Sequence, residues 1–264
     1  MQTVQSLALP RYLRTLLDQV VDRTGHPLHV SEEGGIGYDS ELRLARHGRP
    51  YHELAYVPAY RDHRLHFLLS AAVKALRVWE VPPDERFVPA TQLGRTLPPE
   101  DYQDLRRKVP ALSLHALDDL SQFLYHGITR QLTSMPVDIR VEREIAERFP
   151  AHQAEQRAYL QRQVEDLEPT FAPQIAEVSP ERLYRASTAM NVVLAEEAAE
   201  ITGSRPGPLC QGSPHRTLGA KLRELLHAVD DDGYAGDRVL TDLWADELGM
   251  RDFYQWVHLD LIDG

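Results

Sequence analysis

The stretch LRLARHGRPYHELAYVPAYRDHRLHFLLSAAVKALRVWE, residues 42–80, changes its hydrophobic period halfway along. In its first half Leu42 and Leu44 alternate with Arg43, His47 to Pro50 supply turn residues, and Tyr51 to Val57 return with alternation, so a β-hairpin is expected. Beyond Asp62, a side chain able to cap a helix, the apolar positions become Leu65, Leu68, Leu69, Ala72, Leu76 and Trp79. That is the spacing of one helical face, and Pro82-Pro83 stops it. The switch near Tyr60 decides the fold class: strands before it, helices after it.

Working outward, Pro10 to Thr24 carries Leu13, Leu16, Leu17, Val20 and Val21 on one helical face and is closed by Gly25. The run Leu28-His29-Val30 and the turn-rich Gly34 to Gly37 lead into the hairpin, giving a sheet of about three strands. Further helices are predicted at about 99–108, 113–133, 137–149, 151–167, 180–202, 216–229 and 237–248, with Ser179-Pro180 opening one and Gly203 closing it. The expected fold is therefore α+β and mainly α-helical, with a small N-terminal antiparallel or mixed sheet followed by a multi-helix remainder. It divides into segments 1–96, 97–203 and 215–264, with Gly203 to Pro214 as linker. Trp244, Phe253, Tyr254 and Trp256 in the last segment need an apolar partner, so that piece is expected to dock on the body.

Composition excludes several functions. The chain of 264 residues carries 40 acidic and 29 basic side chains, a net charge of −11, which repels a polyanion over most of the surface. General nucleic-acid binding is not expected. The surplus is concentrated from Ala228 onward, where ten acids face only Arg238 and Arg251. Upstream, Arg140, Arg143, Arg148, Arg157 and Arg162 are read as facing water or pairing with acids at i,i+4. No stretch reaches the ~20 apolar residues of a membrane span. A single cysteine, Cys210, permits no intramolecular disulfide, and the N-terminus lacks a secretory signal pattern, which fits a reducing cytoplasm.

Familiar chemical motifs are incomplete. Gly34-Gly35-Ile36-Gly37 finishes neither a dinucleotide fingerprint nor a phosphate loop. Asp230-Asp231-Asp232-Gly233 fails as a calcium loop, because Val239 stands where a bidentate Glu is required. Cys210 beside His215 lies in a Pro/Gly-rich run that orients no base, and Ser213 lacks a nucleophile-elbow context. His52-Glu53 begins like HExxH, but Tyr56 occupies the second histidine position and the segment alternates like a strand. His63 and His66, i,i+3 at the start of the long helix, could share a cleft with His52 and Glu53; the plainer reading is capping or surface histidines.

A leading helix, a small sheet ending in a hairpin, a long buried helix and a helical remainder form an order similar to the N-terminal zincin-like domain of the ImmA/IrrE family of metallopeptidases. In that family the long helix bears HExxH in a pattern such as F-x-L-A-H-E-L-G-H. The matching stretch here is His66-Phe67-Leu68-Leu69-Ser70-Ala71-Ala72-Val73-Lys74-Ala75, and Ala71, Ala72 and Ala75 stand where the first His, the Glu and the second His would be. The resemblance covers about the first 90 residues and leaves Leu97 to Gly264 unaccounted for. It implies a degenerate member with no metal, cofactor or catalytic residues, acting in the bacterial cytoplasm as a regulatory or interaction protein through a protein partner or self-association. Relatives in that family act with helix-turn-helix repressors. Two other readings stay open: a metal-dependent hydrolase with a non-standard His52, Glu53, His63 and His66 site, and a purely structural helical subunit.

Overall fold

The hairpin forms where the alternation places it. In the computed structural model, which describes residues 2–4, 7–35, 39–91, 94–205 and 215–262, strands β1 (Gln2–Thr3), β2 (Leu28–Glu32), β3 (Ser40–Arg43) and β4 (His52–Tyr56) make one mixed sheet in the order β1-β2-β4-β3. β3 and β4 are antiparallel with Leu42 opposite Leu54. Arg46 and Arg49 exchange backbone hydrogen bonds of 2.9 and 3.0 Å around a tip whose Gly48 has φ +81°, a conformation a side chain resists. β2 runs parallel to β4.

Helix α1 (Arg11–Thr24) buries Leu13, Leu16, Leu17 and Val20 and ends on Gly25, whose N–H bonds to the Val21 carbonyl at φ +75°. Val21 is 37% exposed, so the apolar stripe is narrower than the sequence pattern suggests. Helix α2 (Arg64–Glu80) is entered through a 3₁₀ turn at Pro58–His63. Asp62 falls inside that turn, and the α2 N-cap is His63. α2 is buried nearly all round, including Ala71, Ala72 and Ala75.

The remainder is helical: α3 (Pro99–Lys108), α4 (Leu114–Arg148), α5 (Gln153–Leu167), α6 (Pro173–Val178), α7 (Glu181–Thr202), α8 (Arg216–Ala228) and α9 (Gly233–Glu247). The break expected between residues 133 and 137 is absent: α4 continues through Pro136. A helix-interior proline costs about 3 kcal/mol. Burial of Leu132, Met135 and Ile139 on either side of it offsets that cost. Short strands β5 (Phe87–Ala90) and β6 (Gln255–His258) form a second, two-stranded sheet that the helical pattern conceals.

The chain divides into two compact units. The first takes the residues up to Val88, Val141–Tyr159 and those from Val257 on; the second takes Pro89–Arg140 and Leu160–Trp256. The core of the second unit joins Leu132, Ile139, Met190 and Val193 to Leu222, Leu240, Trp244 and Phe253. Leu222 of α8 and Leu240 and Trp244 of α9 thus belong to this core. Among the described residues no helix is long and apolar enough to cross a membrane.

Candidate functional site

His52 lies on β4 with Leu54 and Tyr56 on the same buried face. Its Nδ1 accepts the Ala45 N–H at 3.1 Å. In a neutral ring the proton must then sit on Nε2, which meets Thr24 Oγ1 at 3.1 Å, while the Thr24 hydroxyl donates to the His26 carbonyl at 3.1 Å. The ring stands edge-on to Trp79 at 4.8 Å. Burial, helped by His26 and Arg49, pushes the imidazole down to about 3, so it stays neutral. Both nitrogens are occupied within the fold.

Glu53, one residue on, points to the opposite face of the sheet. It accepts from Ser31 at 3.3 Å and from Arg43 at 3.4 Å, and Arg43 also reaches Glu33 and Glu41. His63 packs edge-on to Tyr159 at 5.7 Å. The four residues singled out in the sequence are therefore not gathered in one cleft. Among the described residues no group of three or more His, Cys, Asp or Glu side chains is arranged to hold a metal ion. Cys210, Ser213 and the end of the Gly34–Gly37 turn lie outside the described residues.

His66 does belong to a cluster, with partners that no motif in the sequence announces. Its Nε2 meets Glu142 Oε1 at 2.9 Å and its Nδ1 meets Nε2 of His152 at 3.1 Å. The far nitrogen of His152 meets Tyr12 Oη at 2.8 Å, and Gln156 Nε2 donates to the Glu142 carbonyl at 2.7 Å and to Oε2 at 2.8 Å. Tyr159 stacks on His66 at 4.3 Å and donates its hydroxyl to Asp39 at 2.7 Å. His66, Glu142, His152 and Gln156 are all buried.

With both rings neutral, one arrangement satisfies every atom. Tyr12 donates to His152, His152 donates to His66, and His66 donates to the Glu142 carboxylate. The result is a one-way chain of hydrogen bonds from α1 to α4. Burial pushes His152 down to about 4, with His66 adding to the effect. Burial opposes the charge on Glu142, but His66 and the Gln156 hydrogen bond outweigh it and hold that carboxyl below its ordinary value. The two nitrogens of His66 lie on opposite edges of the ring, so its neighbours form a relay rather than a chelating group. Both rings are buried, at 1% and 0% exposure for His66 and His152.

A signal for these partners exists in the sequence. Glu142 falls three residues from each of the buried Ile139 and Ile145, and His152, Gln156 and Tyr159 repeat at i, i+4 and i+7. Polar side chains on an apolar stripe must find one another.

In the second unit an open groove of about 700 Å³ lies between α7 and α8, lined by Glu196, Glu200, Arg216, Arg223 and His227 among others. Several of its charges are paired: Arg223 meets the buried Glu197 at 2.6 Å and also pairs with Glu200, while His227 meets Glu197 at 3.1 Å. No family model matches the chain, and no curated protein or solved structure shows significant similarity to it.

Proposed function

We propose that the protein is a non-catalytic regulatory or protein-interaction protein of the bacterial cytoplasm, built on a metallopeptidase-like N-terminal arrangement in which the metal-binding positions have become packing positions. One observation carries this reading: three of the four side chains singled out as metal donors, His52, Glu53 and His66, already have hydrogen-bond partners inside the fold. His52 is satisfied at both nitrogens by Ala45 and Thr24, Glu53 by Arg43 and Ser31, and His66 by Glu142 and His152. The positions where HExxH would stand, Ala71, Ala72 and Ala75, are 2%, 0% and 0% exposed and fill the core of α2. Activating a water on zinc needs three ligands, an open position and a base, and these side chains are committed to folding.

The test is zinc titration of tag-free protein, followed by a peptide-hydrolysis assay with and without a chelator. The expected result is well under one zinc per chain and no chelator-sensitive turnover. Stoichiometric zinc that is lost in His52→Ala or His66→Gln, together with chelator-sensitive hydrolysis, would favour the hydrolase and overturn the proposal.

A further inference from the structure

The segment Val141–Tyr159 belongs to the first unit although the second unit flanks it in sequence on both sides, as Pro89–Arg140 and Leu160–Trp256. Its polar ties to α1 and α2 run through Tyr12–His152 at 2.8 Å, His66–Glu142 at 2.9 Å and, between the two rings, the 3.1 Å approach of His66 Nδ1 to His152 Nε2. The number of protons in that contact decides whether it holds. With one proton between the nitrogens there is a hydrogen bond. With two, N–H faces N–H at a distance no donor pair tolerates.

The outer partners allow one extra proton and no more. If one ring carries two protons, as when His66 donates both to Glu142 and to His152, the remaining proton of His152 turns toward Tyr12 Oη and all four ring nitrogens keep a partner. If both rings carry two protons, no assignment is left, and two cations are held side by side in a buried site. We propose that the His66–His152 contact is an acid-opened latch, which releases Val141–Tyr159 from α1 and α2 when both rings are charged.

The groups touching the pair are Tyr12 from α1, Glu142 from α4, and Glu155 and Tyr159 from α5; around them His63 packs on Tyr159, Lys74 acts on Glu142, and Arg77 pairs with Glu144. Arg77 meets Glu144 at 3.0 Å, a second tie on the same segment that contains no histidine. Glu155, half exposed, lies 3.6 Å from His152 Nδ1 and offers the water-facing end at which a proton enters. The inference stands independently of the proposed function, since it concerns how the first unit is held and not what it binds.

The experiment is hydrogen exchange by mass spectrometry on the full chain from pH 7.5 to 3.5, corrected for intrinsic exchange, with α7 of the second unit as internal reference. Peptides covering 141–159 are expected to exchange at least about tenfold faster before peptides from 183–199 change. In His152→Gln, which keeps a neutral donor and acceptor but cannot take the second charge, that opening is expected to move at least about one pH unit toward acid or to vanish. Opening of both regions at one pH, or an unchanged midpoint in the variant, would overturn the latch. If His152→Gln does not fold, ¹⁵N shifts of the two rings in the unaltered protein decide it. Opening that coincides with charging of the second ring supports the latch, and two imidazolium rings in a protected segment refute it.

Discussion

Both units bury carboxylates, but they neutralise them differently. In the second unit Asp101 meets Arg182 at 2.5 Å, Glu197 meets Arg223 at 2.6 Å and Asp237 meets Arg140 at 3.5 Å. In the first, Glu142 meets His66. A guanidinium keeps its charge at any pH a protein meets, whereas an imidazole changes charge near neutrality. The apolar cores follow the same division. Trp244, Tyr125 and Phe253 anchor a broad hydrophobic cluster in the second unit, while the central helix of the first carries a histidine into its interior. Arginine thus carries most of the neutralisation in the second unit, where His227 also meets Glu197 at 3.1 Å, whereas in the first an imidazole stands against Glu142 at the heart of the cluster.

The sharpest challenge to this contrast is acid itself. His52 and His152 titrate at about 3 and about 4 when folded and at about 6.5 when unfolded. The unfolded chain therefore binds more protons in between, and stability is lost as pH falls from about 6.5 toward those folded values. The two together should remove several kcal/mol from the first unit, each tenfold loss of proton affinity on folding being worth about 1.4 kcal/mol. In the second unit burial raises Asp101 despite Arg182, which acts in the opposite sense on acidification. Urea denaturation at pH 7 and pH 5, followed by exchange in each unit, should show the first unit weakening more than the second, where burial also holds His215 below its ordinary value. Equal loss in both would erase the distinction.

Truncating Trp244, which is 0% exposed and donates its Nε1–H to the Leu222 carbonyl at 3.0 Å, should cost about 3–5 kcal/mol. That loss should be nearly the same at pH 7 and pH 5, since nothing in the contact titrates there. A strongly pH-dependent penalty would mean that the second unit is less indifferent to acid than its arginines imply.

A smaller effect is expected at Gly236, where an added Cβ would lie 2.6 Å from the Asp230 carbonyl and 2.9 Å from Arg140 Nη1. Gly236→Ala should destabilise by about 1–3 kcal/mol by displacing the backbone around the Arg140–Asp237 pair. A neutral result by thermal denaturation would show that this pair is free to shift. The least effect belongs to Arg162→Ala, which removes an exposed i,i+4 pair with Asp166 at 3.0 Å and should change stability by no more than about 0.5 kcal/mol.

How much of this was legible in the sequence depends on the separation of the partners. The change of period within Leu42–Glu80 locates the hairpin and α2, because both periodicities are local. Pro136 misleads, since long-range packing on both sides outweighs a local rule, and β5 and β6 are too short for any period to emerge. Arg140, expected among water-facing arginines, is 3% exposed and donates to the Val229 carbonyl at 2.6 Å. Arg148 and Arg162 do form the expected i,i+4 pairs. His66 stands out in the sequence, but Glu142 and His152 lie 76 and 86 residues away, and no spacing rule connects them.

The discontinuity of the first unit also bears on how the protein is made. A ribosome delivers α1, the sheet and α2 first, but the partners of His66 arrive only with residues 142–156, after the whole of α3 and most of α4. At about 5–20 residues per second, the interval between Val88 and Tyr159 lasts roughly 4–14 s. For most of it His66 lacks its Glu142 and His152 partners. The nascent N-terminal region must therefore wait, part-finished, for a stretch of chain synthesised much later, and this interval is when a chaperone has most to offer it.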